Sequence, residues 1–416
     1  MLANHRKIEG AHAKRWSLIL AAAAILMVTT GARQSLGLYI APLNQSTGLG
    51  LADISLALAI GQFVWGASQP LFGVIADRYG PVQVIGMGAM LLAAGFALTP
   101  FAHTTMGLIW TLGILSAAGA GAGSFSILIG ATAGRLAPER RGFAAGVINA
   151  GASFGQFVFA PLNLGLIGLL GWTGALSSLA AIMLLTVPLA WILRPGQSEL
   201  AGAPLETSAV TRLGLKAQLA QAVRDRSYWC LHLGFFTCGF HVAFLVTHLP
   251  GEVNLCGLSS SIAANSLAII GLTNIAGSLG VGVLGNRIRL KWLLYWVYFI
   301  RAVAIVLYLL APHTAPIFYV FAAVLGLTWL STVPPTVGLV GKLFGVRYLS
   351  TLFGLTLLSH QIGGFFGAWL GGLAITHFGN YSWMWIADIA LALAAAAINL
   401  PIRESRPTTQ FVSVKS

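Results

Sequence analysis

Charge is what this sequence has least of. Only 8% of its 416 residues are Asp, Glu, Lys or Arg, and just 10 are acidic. An ordinary soluble domain is about one-quarter charged, so a chain of this length would need several times more polar surface to stay dissolved. That excludes a cytosolic globular enzyme and a disordered regulator. Cysteine is scarce too: Cys230, Cys238 and Cys256 form no CxxC pair, which gives neither a zinc site nor a disulfide framework. No HExxH and no paired carboxylates on facing stretches occur, so the chain is expected not to be an enzyme and to need no metal or other cofactor. A channel is disfavoured by the lack of a charged ring or a filter-like repeat.

What the sequence does have is apolar length. Hydrophobic residues make up 57% and glycine contributes 50 positions. A membrane-spanning helix needs about 20 mostly apolar residues, and twelve such stretches can be marked. They cover 16–42, 52–76, 82–102, 106–133, 142–168, 171–193, 228–250, 260–285, 291–311, 315–341, 349–376 and 381–402, and are numbered spans 1 to 12. Their Ala, Gly and Leu content lacks period-two alternation, which favours helices over a barrel. Glycine clusters such as Gly119, Gly121 and Gly123, or Gly363, Gly364 and Gly367, suit close helix packing in lipid. The expectation is an all-α integral membrane protein.

The formal charge of +13 is distributed by side. Arg6, Lys7, Lys14 and Arg15 precede span 1, and Arg78 lies between spans 2 and 3. Arg135, Arg140 and Arg141 lie between spans 4 and 5; Arg194, Arg212, Lys216, Arg224 and Arg226 between spans 6 and 7; Arg287, Arg289 and Lys291 between spans 8 and 9. Lys342 and Arg347 follow span 10, and Arg403, Arg406 and Lys415 follow span 12. All of these fall on one side if the spans alternate, and the opposite loops hold no Lys or Arg. The positive-inside rule then makes both termini cytoplasmic, and the basic balance is a topology signal, not a nucleic-acid footprint. The remaining two basic residues, Arg33 and Arg301, lie inside spans.

The chain also reads as two copies of one design. Gly73-Val-Ile-Ala-Asp77-Arg78-Tyr-Gly80-Pro81 follows span 2, and Gly282-Val-Leu-Gly-Asn286-Arg287-Ile-Arg289 follows span 8. Gly146 and Gly354, and Gly155 and Gly363, repeat the half-chain offset. The expected organisation is a tail at 1–15, a six-helix bundle at 16–193, a linker at 194–227, a second six-helix bundle at 228–402 and a tail at 403–416. The linker reads as surface loop with a short amphipathic piece near 212–224. Parallel halves of this kind place a substrate site at their interface near mid-membrane.

Gly73-x-x-Ala-Asp77-Arg78-x-Gly80 resembles the loop 2–3 signature of the major facilitator superfamily, and the resemblance extends over nearly the whole chain. It implies a monomeric carrier whose two bundles rock to give alternating access. It also implies a switch in which the loop's acid caps the cytoplasmic end of span 11 and pairs with nearby Arg. Carried onto this sequence, the switch residues are Gly73, Asp77, Arg78, Gly80, Arg140, Arg141, Asn286 and Arg287. Asn286 keeps the hydrogen bond of its counterpart Asp77 but loses the charge, so the two gate contacts should differ in strength. The blander reading is that these loops only fix topology.

Arg135-Leu-Ala-Pro138-Glu139-Arg140-Arg141-Gly142, with Gly146, Gly151 and Gly155 beyond it, is similar to the pattern in monocarboxylate carriers and the oxalate–formate branch. Span 4 has no Arg and span 5 no Gly-Pro pair, both features of proton-driven drug exporters. The helix 8 Arg of the carboxylate relatives is missing as well: Thr273, Asn274 and Gly277 stand there. His360 falls at or beside the helix 11 Lys of the oxalate branch, so a clamp of two fixed charges is not expected.

Ionisable groups at membrane depth are costly unless they face a cavity or a partner. Arg33 sits near mid-depth in span 1, which lines the cavity in this family, and its planar fork fits a carboxylate. It and Gln34 are candidate substrate ligands; a structural bond to carbonyls or Gln62 is the alternative. Arg301, in a peripheral span, reads as structural. His241 and His360 lie near the midplane and can change charge at physiological pH. They are candidates for proton coupling and substrate contact, against the alternative of neutral helix-to-helix bonds. His248 reads as interfacial, and Asp388, the only acid well within a span, as structurally paired in preference to relaying protons. Asn274 and Gln361 are further candidate ligands, with Gln62, Gln69, Asn149 and Gln156 each equally able to be helix–helix glue. Trp329 and Phe240 could form an aromatic wall, and Tyr381, Trp383 and Trp385 fit an interfacial belt. These residues point to a secondary carrier in a bacterial inner membrane that moves a small monocarboxylate-type anion with a proton or by exchange. The alternative is a carrier for a flat aromatic or heterocyclic solute such as a vitamin, dye or drug. In either case the partners are a small molecule and the lipid bilayer, with no nucleic acid.

Overall fold

The computed structural model describes residues 2–133, 135–136, 138–194, 215–345 and 349–404; the side chains of 2–15, 77, 133, 138–143, 215 and 350 fall outside that description. Among the described residues every regular element is helical, and helices lie over all twelve expected stretches. Ten runs are long and apolar enough to cross a bilayer: Trp16–Thr47, Leu51–Ala76, Pro81–Phe101, Thr105–Thr132, Ala144–Ile192, Arg226–Leu255, Ser260–Leu284, Leu290–Leu310, Ala315–Phe344 and Ser382–Asn399. Ala144–Ile192 has 49 residues, about twice one crossing. It reverses at Gly171, whose φ of 67° belongs to the left-handed region that a Cβ disfavours, and so supplies spans 5 and 6. Leu349–Phe378, 30 residues long, provides span 11.

Several boundaries differ from the sequence reading. Span 1 has no tail before it in backbone terms, because its helix starts at Leu2 and runs to Arg33. It then passes through a tight turn at Leu36–Tyr39 and resumes as Ile40–Thr47. Span 4 carries a wide π-helical segment, Ile109–Ser116, where Gly95 of span 3 presses on it; a Cβ there would stand 2.6 Å from the Ser116 nitrogen and 2.7 Å from the Thr111 oxygen. Span 10 is broken between Ala315–Thr328 and Val333–Phe344. The second piece restarts on Pro334 and Pro335, which lack the N–H a continuing helix needs but suit a first turn. In the linker, Leu215–Arg224 is helical, matching the amphipathic piece; 195–214 lie outside the described residues, as do 405–416 of the tail.

Each half packs on its own core. Spans 1 and 5, 2 and 4, and 3 and 6 pair in the first half; spans 7 and 11, 8 and 10, and 9 and 12 pair in the second. Val28, Ile54, Phe96 and Leu179 centre one core, and Phe244, Leu267, Tyr308, Phe318 and Trp385 the other. Tyr381 and Trp385 are buried in that second core, because span 12 turns its aromatic start toward spans 7 and 9. Of the expected interfacial belt only Trp383 stays half-buried.

The halves meet along three helix pairs: spans 1 and 7, 2 and 11, and 5 and 8. Glycine permits each approach. Gly37 abuts the carbonyls of Val246 and Thr247, Gly372 abuts Ser55, and a Cβ on Gly271 would lie 2.6 Å from the Ser153 oxygen. These contacts run from mid-depth to the end opposite the basic loops. At the basic end, a Cβ built on Gly73, Gly80, Gly146, Gly282 or Gly354 meets nothing within 4 Å. The glycine contacts between the halves are thus concentrated away from the basic loops.

Candidate functional site

Arg33 is the last residue of its helix, so its guanidinium sits at the negative end of the helix dipole, halfway through the membrane. Ser35 Oγ donates to the Gly31 carbonyl at 3.0 Å and helps end that helix. Arg33 Nη2 donates to Gln62 Oε1 at 2.5 Å, and the guanidinium carbon stands 4.7 Å over the Trp65 ring. Its Nε is buried with no hydrogen-bond partner, as is Gln34 Oε1. No carboxylate pairs with Arg33 among the described residues. The side chain lines a small recess of about 20 Å³, with Leu58 and Gln62 of span 2, Leu112 and Ser116 of span 4, and Val246 and Thr247 of span 7. A fixed cation held by a neutral amide and a ring keeps its charge available, which is what an anion site requires.

Span 2 joins this recess to span 11. Gln62 holds Arg33, and one turn on, Gly66 receives the Gln361 side chain in direct contact. Gln361 is 1% exposed with its Nε2 unpartnered, and His360 next to it has both ring nitrogens buried without partners. The His360 ring points toward span 7, 5.1 Å from Phe235. Trp65 carries no mark in the sequence beyond being an aromatic on a long apolar helix, and only the fold brings it under Arg33.

A second polar group lies inside the second half. His241 Nδ1 and Asp388 Oδ2, on spans 7 and 12, share a 2.5 Å hydrogen bond, and both side chains are fully buried. Arg301 Nη2 donates to the carbonyls of Thr328 (2.5 Å) and Trp329 (3.0 Å), the acceptors freed by the break in span 10. Cys238 Sγ lies 3.2 Å from Thr332 Oγ1 in the same break. Trp329 is fully buried against His241 at 5.7 Å between ring centres, and Phe240 is equally buried, so in this structure they belong to the core and not to a cavity wall.

Asn274 sits at the junction of the halves. Its Nδ2 donates to Ser153 Oγ at 2.8 Å, and its Oδ1 accepts from Leu330 N at 3.0 Å and from Ser278 Oγ at 3.1 Å. These bonds tie span 8 to span 5 and to the break in span 10. Of the seven candidate ligands, then, Arg33 lines the recess and Gln34 follows it in the chain without lining it, Gln361 and His360 lie on the facing helix, and His241, Trp329 and Asn274 belong to the packed interior around span 10.

Two readings of single residues are corrected. His248 is buried: its Nε2 donates to the Ala368 carbonyl at 2.7 Å and Gly371 leaves it room. Asp388 is not the only acid within a span, because span 7 continues through Pro250 to Leu255 and takes in Glu252, which accepts from the Tyr308 hydroxyl at 3.0 Å. Of the switch residues, the side chains of Asp77, Arg140 and Arg141 lie outside the described residues. Arg78, Asn286 and Arg287 are exposed, and a Cβ on Gly73 or Gly80 would meet nothing within 4 Å. At the same end Glu404 caps span 9, accepting from the Leu290 and Lys291 backbone nitrogens at 3.0 Å each and from Lys342 Nζ at 2.8 Å. Among the described residues no three His, Cys, Asp or Glu side chains gather at metal-binding range.

Two six-helix halves around a polar recess at mid-membrane have the build of a multi-pass membrane carrier for small solutes. The sequence model for the Major Facilitator Superfamily matches residues 20–368, and the chain belongs to that family of transporters. It is similar to the oxalate:formate antiporter of Oxalobacter formigenes, at 26% identity over 412 residues covering 96% of this chain and 94% of that one. It is also similar to monocarboxylate transporter 13 of Rattus norvegicus, at 25% identity, covering 92% of this chain and 87% of that one. Among solved structures, a D-xylose–proton symporter superposes with a TM-score of 0.74 at 16% identity, covering 94% and 98% of the two chains. A bacterial homologue of the human lysosomal transporter Spinster gives 0.73 at 16%, covering 92% and 96%. At such identities these two structures share the fold and nothing finer.

Proposed function

We propose that the protein is a secondary active carrier of a small organic anion of the monocarboxylate type, working by alternating access and coupled to a proton. The observation that carries the reading is Arg33: a guanidinium at mid-depth, facing a recess between the halves, held by Gln62 and Trp65 with no acid to neutralise it. A carboxylate entering the recess takes the free donors of that fork. A second fixed cation, which a dianion would need, is absent from the recess lining. The similarity to carboxylate carriers supports the same substrate class. His360 and His241 are the proposed proton-responsive groups, and Gln34 and Gln361 the proposed auxiliary ligands. On the positive-inside rule the carrier is a monomer in a bacterial inner membrane with both termini cytoplasmic, and with the glycine contacts between its halves concentrated away from the basic end this structure is read as its cytoplasm-open state.

Uptake into proteoliposomes tests this across labelled monocarboxylates, dicarboxylates and aromatic heterocycles, with and without an inward proton gradient, for wild type and Arg33→Gln. Gradient-stimulated uptake of a monocarboxylate that disappears in a folded Arg33→Gln protein is the expected result. Trp65 favours one competing reading, since its ring face and the Gln62 amide also suit a flat heterocycle. Uptake of only a neutral aromatic solute, indifferent to Arg33→Gln, would overturn the anion assignment in its favour.

A further inference from the structure

We infer that the coupling proton resides on the His241–Asp388 pair, with Asp388 as the positioning residue that makes His241 a proton site. This rests on the proton-coupled reading above and goes beyond it by naming an acid on span 12 and by separating His241 from His360. The pair is fully buried and bridged at 2.5 Å, a separation that demands a proton between Nδ1 and Oδ2. Yet it is incomplete: His241 Nε2 and Asp388 Oδ1 are both buried without partners. An unmet buried polar atom carries a desolvation penalty, so both atoms gain from a further proton or partner. The free Nε2 is the atom at which a second proton can be taken.

Charge balance gives the pair its role. Besides Asp388, the charged group facing His241 is Arg301 on span 9; Cys238 on span 7, His360 on span 11 and Tyr298 on span 9 surround that arginine. When an anion binds at Arg33 and a proton binds at His241 Nε2, the two added charges cancel. Net buried charge is therefore the same before and after loading, whereas anion or proton alone would change it in a low-dielectric interior. Span 7 connects the two sites: His241 lies five residues before Val246 of the Arg33 recess, roughly 8 Å along the helix axis. Each ligand then favours the other reciprocally.

The test uses the full-length protein in proteoliposomes with labelled lactate and acetate as probes, comparing wild type, Asp388→Asn and Asp388→Glu. Two activities are read: counterflow against internal unlabelled probe at equal pH, which moves no net proton, and accumulation driven by an inward proton gradient. In Asp388→Asn, counterflow is expected within about twofold of wild type while gradient-driven accumulation falls about tenfold or more, in the range of ordinary coupling between sites; Asp388→Glu is expected to recover part of it. Probe-induced proton uptake by the purified protein in weakly buffered detergent should vanish in parallel. If Asp388→Asn does not fold, Asp388→Ser breaks the same pair and is read the same way. Unchanged accumulation in the folded variants would overturn the inference, as would equal loss of both activities. A wild type that exchanges the probes but ignores the gradient would overturn this inference and leave the carrier reading standing, while a wild type that moves neither probe would sink the monocarboxylate reading itself.

Discussion

On the proposed alternating-access mechanism, adding a single methyl group at Gly271 should shift the equilibrium between the two conformations without unfolding either half. Gly271 of span 8 faces span 5 across the junction of the halves. A Cβ there would stand 2.6 Å from the Ser153 oxygen, 2.8 Å from the Phe157 nitrogen and 2.9 Å from the Gln156 Cβ, against 3.4–4 Å for ordinary contact. Two of the three obstacles are backbone atoms on a helix, so they cannot rotate aside, and the halves must part by several tenths of an ångström. Overpacking of this kind costs about 1–3 kcal/mol. Because the clash is between halves, that cost falls on this conformation alone and moves the population about 5- to 150-fold toward the state closed at the basic end. Gly155 is the control. It packs span 5 on Met27 of span 1 within one half, in a contact both conformations keep, so Gly155→Ala should lower thermal stability and leave the equilibrium alone. The assay is labelling of a cysteine introduced at Gly146, which faces open space in this state, by an impermeant maleimide from the basic side. Gly271→Ala should slow labelling at least fivefold with Tm nearly unchanged. Unaltered labelling in a folded Gly271→Ala protein would refute the reasoning.

Gln62→Glu places a carboxylate on Arg33 in the geometry the amide now occupies; monocarboxylate uptake should be lost or its KM raised more than tenfold while Tm stays level or rises, measured by uptake and melting. Arg301→Met keeps the bulk but orphans the Thr328 and Trp329 carbonyls, so stability should drop by about 1–3 kcal/mol, read as a Tm decrease or earlier aggregation in detergent. Glu404→Gln removes the charge that caps span 9 and meets Lys342. It should cost about 1 kcal/mol, and the deficit relative to wild type should shrink in high salt because Lys342 is partly exposed.

Much of this was legible from one-dimensional information, and for a definite reason. In lipid the backbone must satisfy its own hydrogen bonds, so apolar length translates directly into helices, and the twelve marked stretches all proved helical. The penalty on buried charge likewise made Arg33, His241, Arg301 and Asp388 conspicuous before any packing was known. Boundaries were less legible where local signals compete with packing. Pro250 reads as a stop, yet span 7 runs on to Leu255 because its first turns beyond the proline pack against spans 9 and 12, and Glu252 was missed with it. The aromatic start of span 12 reads as an interfacial belt, but Tyr381 and Trp385 are buried by neighbours that no local pattern announces.

What the sequence determined by itself is therefore the helical membrane architecture, its two-half repeat and the short set of polar residues at depth. Which of those residues face each other was decided only by tertiary structure. Arg33 meets Gln62 and Trp65, His241 meets Asp388 across 147 positions, and Asn274 turns to Ser153 and the broken span 10 instead of an open cavity. The physical reason is that hydropathy constrains each helix separately against lipid, whereas partner choice depends on rotation and register between helices. Those are set by where glycines such as Gly37, Gly271 and Gly363 let two backbones touch.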